Sequence, residues 1–458
     1  MGCLFKKIIY YINKIINNKI IFSLILFIFV FFISFIVTYI FTPITFDETW
    51  IYGFSYNISK GMIIYRDFNV ITTPLYYFIG AIFIKIFGNY MIVLGIFNAL
   101  LVSFIVLMMF NIIKWKSFIV FPFILVYYPN GYNLFSLFFL MLILFLINKK
   151  RGNDVFIGYI LGLLFITKQN IGLYLFIPYL FYSNNKLKGI IAFIIPLIIV
   201  SLYLLYYDGF YEFIDYCFFG LFDFGTNNYY FSIFVIMELL VLFYLIFKLI
   251  KCRFKDKELF YIFMFQFIVF PLPDEFHFFV AFFPVVYYIL KDKSNTIFLW
   301  ETFLCVCYFT ICVLFSLDFS INLKKDMFFL RNSGNLSELM WYFHDYLDDV
   351  DYNYYFTGHY SYLYKLYYGI PIGKFDLWNE GNHGYNGIER KIKELDSICK
   401  NDECIFIVNK DLGLTKTSQI FKICNYVTEN YFFIEEIPGA YVYSNRIHVE
   451  MVVNDMKE

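Results

Sequence analysis

The sequence predicts a mostly α-helical polytopic membrane protein: a bundle of about eleven spanning helices followed by a small extracytoplasmic α/β domain. Three observations predict it. Of 458 residues, 61% are hydrophobic and 16% charged, against roughly 25% charged in an ordinary soluble protein. Stretches such as Ile20 to Phe41 and Val269 to Leu290 hold very few charges, and about 20 apolar residues cross a ~30 Å hydrocarbon core as a helix. The charges that do occur alternate along the chain between basic and acidic clusters. Lys plus Arg and Asp plus Glu both total 36, so the overall balance argues for neither a nucleic acid partner nor a polybasic membrane switch.

The first apolar segment is longer than a secretory h-region and lacks a small-x-small cleavage site, so it is expected to stay as an anchor. Met1-Gly2-Cys3 is followed by Lys6 where N-myristoylation needs Ser or Thr, which argues against that lipid. Basic clusters then recur: Lys6, Lys7, Lys14 and Lys19; Lys114 and Lys116; Lys149, Lys150 and Arg151; Lys186 and Lys188; Lys248, Lys251, Arg253, Lys255 and Lys257; Lys291 and Lys293. The positive-inside rule assigns them to the cytoplasm. The turns between them carry Asp47 and Glu48, the tip Pro129 to Tyr132, Lys168, then Asp208, Glu212, Asp215 and Asp223, and finally Asp274 and Glu275. These belong to the opposite face. Val155 to Thr167 and Ile171 to Tyr182 are short for full spans and call for a thinned bilayer or a protein bundle around them. Thr73 to Phe87 is apolar but contains Pro74 and Lys85 and would break the alternation, so it is expected as a juxtamembrane helix on the outer face. The last span is expected at Thr296 to Leu317.

From about Asp318 the composition turns polar, which divides the chain into a membrane domain, 1–317, and a soluble domain, 318–458. Within the latter, Asn353 to Thr357, Cys404 to Val408 and Tyr441 to Tyr443 read as strands, and Ile388 to Lys400 and Ser418 to Glu429 as helices. Nine cysteines include no CxxC pair, which argues against a structural zinc or redox motif.

The residues able to do chemistry gather on the outer face. Asp47 and Glu48 follow the first span, and adjacent carboxylates at a membrane surface can hold and deprotonate a hydroxyl nucleophile. Their bland role is a helix cap in water. Downstream, Tyr65, Arg66 and Asp67 are candidates for substrate contact, with a local ion pair as the plain account of the last two. Lys168 and Gln169 end the fifth span. A cation there either snorkels to the headgroups or neutralises a departing lipid phosphate. Asp274, Glu275 and His277 start the tenth span, and His277 is the only histidine before residue 318, so a zinc site of several histidines is excluded there. A divalent ion held by carboxylates such as Glu48 and Asp274 stays open, and no cofactor signature is present. Glu238 lies within an apolar run, where an ionisable group is a functional candidate by default. The Gly-rich stretch Glu380 to Gly387 is neither GxGxxG nor P-loop and reads as an ordinary loop.

Asp47-Glu48, the Gly61 to Phe68 stretch, the Thr73-Pro74-Leu75-Tyr76 helix ending in Phe87-Gly88, and Lys168-Gln169 together resemble bacterial GT-C glycosyltransferases. The likeness is closest to the branch of the Rgt-like transferases, related to protein O-mannosyltransferases and lipid A aminoarabinose transferases. It covers the membrane region. The resemblance implies inverting transfer of a sugar from a polyprenyl-phosphate-linked donor to an extracytoplasmic glycan, lipid or protein acceptor. It assigns Asp47 as the base or acceptor-orienting carboxylate and Glu48 as its neighbour or a metal ligand. Thr73-Pro74 stands where the family often has two prolines. Nucleotide sugars are absent outside the cytoplasm, so an outward-facing transferase needs a lipid-borne donor and no Rossmann or P-loop signature. A lipid or polysaccharide transporter is the alternative, but transporters place ionisable groups at the midplane of repeated halves. Here, apart from Glu238, the candidates sit at one surface. A structural scaffold, the third class, predicts no dependence on single carboxylates.

Overall fold

The structure is a computed structural model that describes residues 19–36, 46–90, 92–126, 131–150, 153–228, 231–270, 272–291, 353–357, 373–374, 383–385, 387–402, 404–409, 419–437 and 440–446. Its apolar segments are helices, since without water each backbone N–H and C=O must be satisfied within its own segment. In chain order these are α1 (Lys19–Ile36), α2 (Phe46–Ser59), α3 (Leu75–Phe87), α4 (Ile92–Ile113), α5 (Ser117–Val126), α6 (Gly131–Asn148), α7 (Asp154–Phe165), α8 (Gln169–Tyr182), α9 (Lys186–Tyr206), α10 (Phe210–Ile214), α11 (Gly220–Asn228), α12 (Ile233–Lys251), α13 (Lys257–Phe265) and α14 (Glu275–Lys291). A π-helical turn, Asp215–Phe219, joins α10 to α11.

The stretch Ile92–Phe121 and helices α6, α9 and α12 are long and apolar enough to cross a membrane, and shorter apolar helices occupy Ile20–Ile36, Leu75–Phe87, Asp154–Phe165 and Phe276–Lys291. The sequence places its last span and domain boundary at Thr296 to Leu317 and Asp318, outside the described residues. Helices α7 and α8 are short, at 12 and 14 residues. Helix α7 compensates by packing against α9 backbone to backbone. A Cβ on Gly158 would lie 2.4 Å from the Gly189 carbonyl oxygen, and one on Gly162 would lie 2.3 Å from that of Phe193. Small residues four apart permit this approach, which gains dispersion contacts where no hydrophobic effect separates helix from lipid.

Helix α3 begins after Pro74, where the missing N–H costs nothing, and packs on α2. The connection between them is part of the core: Ile64, Tyr65, Phe68 and Val70 are all 0% exposed. Phe54 stacks on Phe68 at 5.4 Å between ring centroids and meets Tyr77 edge-on at 5.6 Å. The same segment is pinned to the end of α7, with Thr73 Oγ1 donating to the Phe165 carbonyl at 2.9 Å and the Leu75 N–H to that of Ile166 at 2.8 Å.

Among the described residues, basic side chains from three of the clusters join helix ends away from that segment. Lys116 Nζ donates to the Leu290 carbonyl at 2.9 Å, Lys149 Nζ to that of Asn111 at 3.2 Å, and Lys291 Nζ pairs with Glu258 Oε1 at 2.6 Å.

The C-terminal part forms a sheet of β1 (Asn353–Thr357), β2 (Cys404–Asn409), β3 (Phe432–Ile437) and β4 (Ala440–Ser444), with α15 (Gly387–Asn401) and α16 (Gln419–Asn430). The strand order is β1-β2-β4-β3, with β1 parallel to β2 and the other pairs antiparallel. Leu395, Phe406, Ile423 and Val427 form its core. A disulfide joins Cys399 to Cys404, a pairing that a search for CxxC does not find.

Candidate functional site

At the end of the bundle away from the basic clusters, the short turn after α7 brings Lys168 inward. Only 8% of Lys168 is exposed. Its Nζ donates to Asn133 Oδ1 at 2.6 Å and lies 5.4 Å from the centre of the Tyr132 ring. The Asn133 amide is 3.5 Å from His277 Nε2, and His277 Nδ1 is 2.8 Å from Asp274 Oδ1, which also accepts the His277 backbone N–H at 2.7 Å. Lys168, Asn133, His277 and Asp274 thus form one polar chain across the turn after α7, the start of α6 and the start of α14.

Burial pushes the Lys168 ammonium down to about 7, with the Asp274 charge pulling the other way. Burial raises the Asp274 carboxyl, but the hydrogen bond and charge from His277, helped by Lys168, hold it below its usual range. The result is a fixed carboxylate facing a lysine whose charge is costly until another anion arrives.

Gln169 turns the opposite way. Its Nε2 donates to the Ile71 carbonyl at 3.0 Å and to the Cys217 carbonyl at 2.7 Å. Tyr65, in the left-handed region at φ 67°, donates its hydroxyl to the Thr72 carbonyl at 2.7 Å and sits 3.2 Å from Cys217 Sγ. Burial and Cys217 push that hydroxyl well above the ordinary range. Tyr65 is an interior strut in this arrangement. Arg66 and Asp67 form an exposed bidentate pair, at 2.7 and 2.9 Å, and Asp67 also accepts the Ile63 N–H. None of these hydrogen bonds of the pair reaches Lys168, Asn133, His277 or Asp274.

Asp47 and Glu48 stand in the first turn of α2, one turn before Trp50, whose ring centroid is 6.1 Å from that of Tyr132. The backbone thus brings the acidic pair to the helix that borders the Lys168 site. The side chains of Asp47, Glu48 and Glu275 lie outside the described set. Among the described residues no group of three or more His, Cys, Asp or Glu side chains gathers to hold a metal ion. The sequence marks Tyr132 only as part of an outer tip and does not single out Asn133, because an uncharged amide in an apolar helix carries no charge signal. Glu238 on α12 is 0% exposed and neither carboxylate oxygen has a hydrogen-bond partner among the described residues.

This fold has a solved counterpart. The crystal structure of ArnT from Cupriavidus metallidurans in the apo state superposes with a TM-score of 0.57 at 10% identity, over 94% of this chain and 98% of that one. The chain has an ArnT-like GT-C fold. With its apolar helices, that fold makes it a membrane protein. No family model and no curated protein matches the sequence. At 10% identity the likeness is one of architecture.

Proposed function

We propose that the protein is an integral-membrane glycosyltransferase that moves a sugar from a polyprenyl-phosphate-linked donor to an extracytoplasmic glycan, lipid or protein, with inversion at the anomeric carbon. The observation that carries the reading is the ArnT-like fold along nearly the whole chain, combined with a buried lysine at the bundle end that bears the acidic pair. Asp47 accepts the proton of the acceptor hydroxyl as its oxygen attacks the anomeric carbon. The bond from that carbon to the phosphate oxygen breaks with its electron pair, leaving polyprenyl phosphate as a stable anion that needs no general acid. Lys168 stabilises the charge that grows on this phosphate, and Asn133 fixes the direction of the ammonium. Glu48 lies beside the base, and Asp274 with His277 holds the Asn133 end of the chain. A divalent ion bound by Glu48 and Asp274 would supply Lewis-acid assistance at the phosphate.

The orientation belongs to the same reading. The basic clusters gather at the cytoplasmic end by the positive-inside rule, which leaves Lys168 and Asp274 outside. The Cys399–Cys404 disulfide supports an oxidising compartment for the C-terminal domain. Incubating purified protein with a panel of polyprenyl-phosphate sugars and scoring released polyprenyl phosphate tests the activity.

Glu238 favours a second reading, a lipid or polysaccharide transporter, because a buried carboxylate in a span, here with no hydrogen-bond partner among the described residues, is typical of such proteins. Glu238→Gln discriminates: a transporter loses translocation, whereas a transferase keeps its turnover.

A further inference from the structure

Among the described residues, the C-terminal domain meets the membrane domain at a charged junction. Arg390, in the first turn of α15, places Nη2 2.7 Å from Asp215 Oδ2 and 3.3 Å from Glu212 Oε2. Its neighbour Lys391 lies over the Tyr216 ring at 5.7 Å and donates to the Lys374 carbonyl at 3.0 Å. Gly384, at φ +76°, packs so closely that a Cβ there would fall 2.3 Å from Asp215 Oδ2, and a Cβ on Gly220 would meet Gly384 Cα at 3.0 Å. The Tyr385 ring approaches Phe219 at 6.5 Å. Every one of these membrane-domain contacts falls on, or one residue or turn beside, the π-helical turn Asp215–Phe219.

The same turn reaches the candidate site from its other side. The Cys217 carbonyl holds Gln169, the residue that follows Lys168, and the Cys217 thiol meets the Tyr65 hydroxyl. Gln169 cannot shift without breaking its bonds to Ile71 and Cys217, and its own Oε1 is buried with no partner among the described residues. Lys168 is the extended residue that starts α8, so the direction of its side chain follows the backbone that Gln169 anchors. Single π turns depart from the regular ladder and recur at functional sites. Here Asp215 at the junction and Cys217 at the site stand two positions apart on the same five-residue turn.

We infer that Arg390 is a positioning residue: by holding Asp215, it sets the π turn that fixes Gln169, and through it the Lys168 ammonium. The C-terminal domain thereby takes part in assembling a site to which it contributes no reacting group. The catalytic consequence rests on the transferase reading, but the structural coupling does not.

The test uses the full chain, purified in detergent, as wild type, Arg390→Ala, Arg390→Lys, Gly384→Ala and the charge swap Asp215→Arg with Arg390→Asp. The first readout needs no substrate: mass spectrometry follows the rates at which an amine reagent labels Lys168 and a maleimide labels Cys217. Arg390→Ala should speed both by about tenfold, within the usual range of coupling between sites. The swap and Arg390→Lys should recover most of the protection, the lysine less well because it lacks the guanidinium fork. The second readout is donor turnover, where Arg390→Ala and Gly384→Ala should lower kcat about tenfold with KM changed less than about twofold. Unchanged labelling in both Arg390→Ala and Gly384→Ala overturns the coupling, as does a charge swap no better protected than Arg390→Ala. Absence of turnover in the wild type overturns the transferase reading instead, and the labelling rates still decide the coupling.

Discussion

Replacing Lys168 by arginine separates charge from titration. In the folded protein burial brings the ammonium from 10.5 down to about 7, so near neutral pH about half of the ligand-free molecules carry the charge. A donor phosphate binds the charged form and pulls the equilibrium toward it. The expected consequence is a kcat/KM that falls as pH rises through about 7, while kcat, which reports the donor-bound protein, falls only at higher pH. An arginine stays charged throughout this range. Lys168→Arg should therefore lose the alkaline fall in kcat/KM, while running slower because a planar guanidinium does not fit the Asn133 amide as an ammonium does.

Stability supplies an independent check with a definite sign. The unfolded lysine binds its proton up to about pH 10.5 and the folded one only up to about 7, so the folded state pays a penalty that is full below pH ~7 and fades as pH rises toward ~10.5. At about 1.4 kcal/mol per pH unit its full size is about 5 kcal/mol. Lys168→Met removes it, and the orphaned Asn133 oxygen takes back about 1–3 kcal/mol. Thermal unfolding in detergent should thus show Lys168→Met stabilised at about pH 6 and much less so at about pH 9.5. The assay is kcat/KM against pH for wild type and Lys168→Arg, with melting at both pH values for Lys168→Met. An alkaline limb that persists unchanged in the arginine variant, together with a pH-independent melting shift, excludes Lys168 as the titrating group.

Asp47→Asn keeps shape and removes proton affinity, so it should lower turnover by about 10²-fold or more with normal expression. Equal loss in Glu48→Gln and Asp274→Asn, together with inhibition by chelators, would assign the three to a metal ion. Gly162→Leu should abolish folding in membranes because its side chain would enter the Phe193 backbone, and a normal yield of monodisperse protein counts against the α7–α9 contact. Cysteine labelling should reach positions 274 and 400 from outside and 149 and 253 from the cytoplasm. The reverse pattern overturns the proposed face of the site.

Much of the fold is written in the spacing of apolar runs and basic clusters: α8 ends at Tyr182 as the pattern expects, while α7 ends at Phe165 and α8 starts at Gln169, each two residues before the expected Thr167 and Ile171. The C-terminal strands at Asn353, Cys404 and Ala440 and both helices were legible from alternation and helical spacing. The strand Phe432–Ile437 was not, since Phe-Phe-Ile-Glu-Glu-Ile alternates poorly and its pairing shifts register between Phe433 and Glu435. Lys168, Asp274 and His277 stood out as charges at span ends. Asn133 did not, nor did Cys217, because a neutral amide and a buried thiol look like any other residues of an apolar helix. Gly158 and Gly162 act through what their absent side chains permit, and Gly384 reads as loop until Asp215 is seen against it. Such contacts join residues far apart in the chain, so no local pattern announces them.

Lipid-linked sugar transfer is decided by one single-turnover measurement: purified protein, a polyprenyl-phosphate sugar chosen from the panel and an acceptor extract, with released polyprenyl phosphate and the anomeric configuration of the product both recorded. An inverting transferase should release polyprenyl phosphate in step with the sugar transferred, invert the anomeric centre, and lose nearly all turnover in Asp47→Asn. Transfer with retained configuration, or release undiminished in Asp47→Asn and Lys168→Gln, would contradict it.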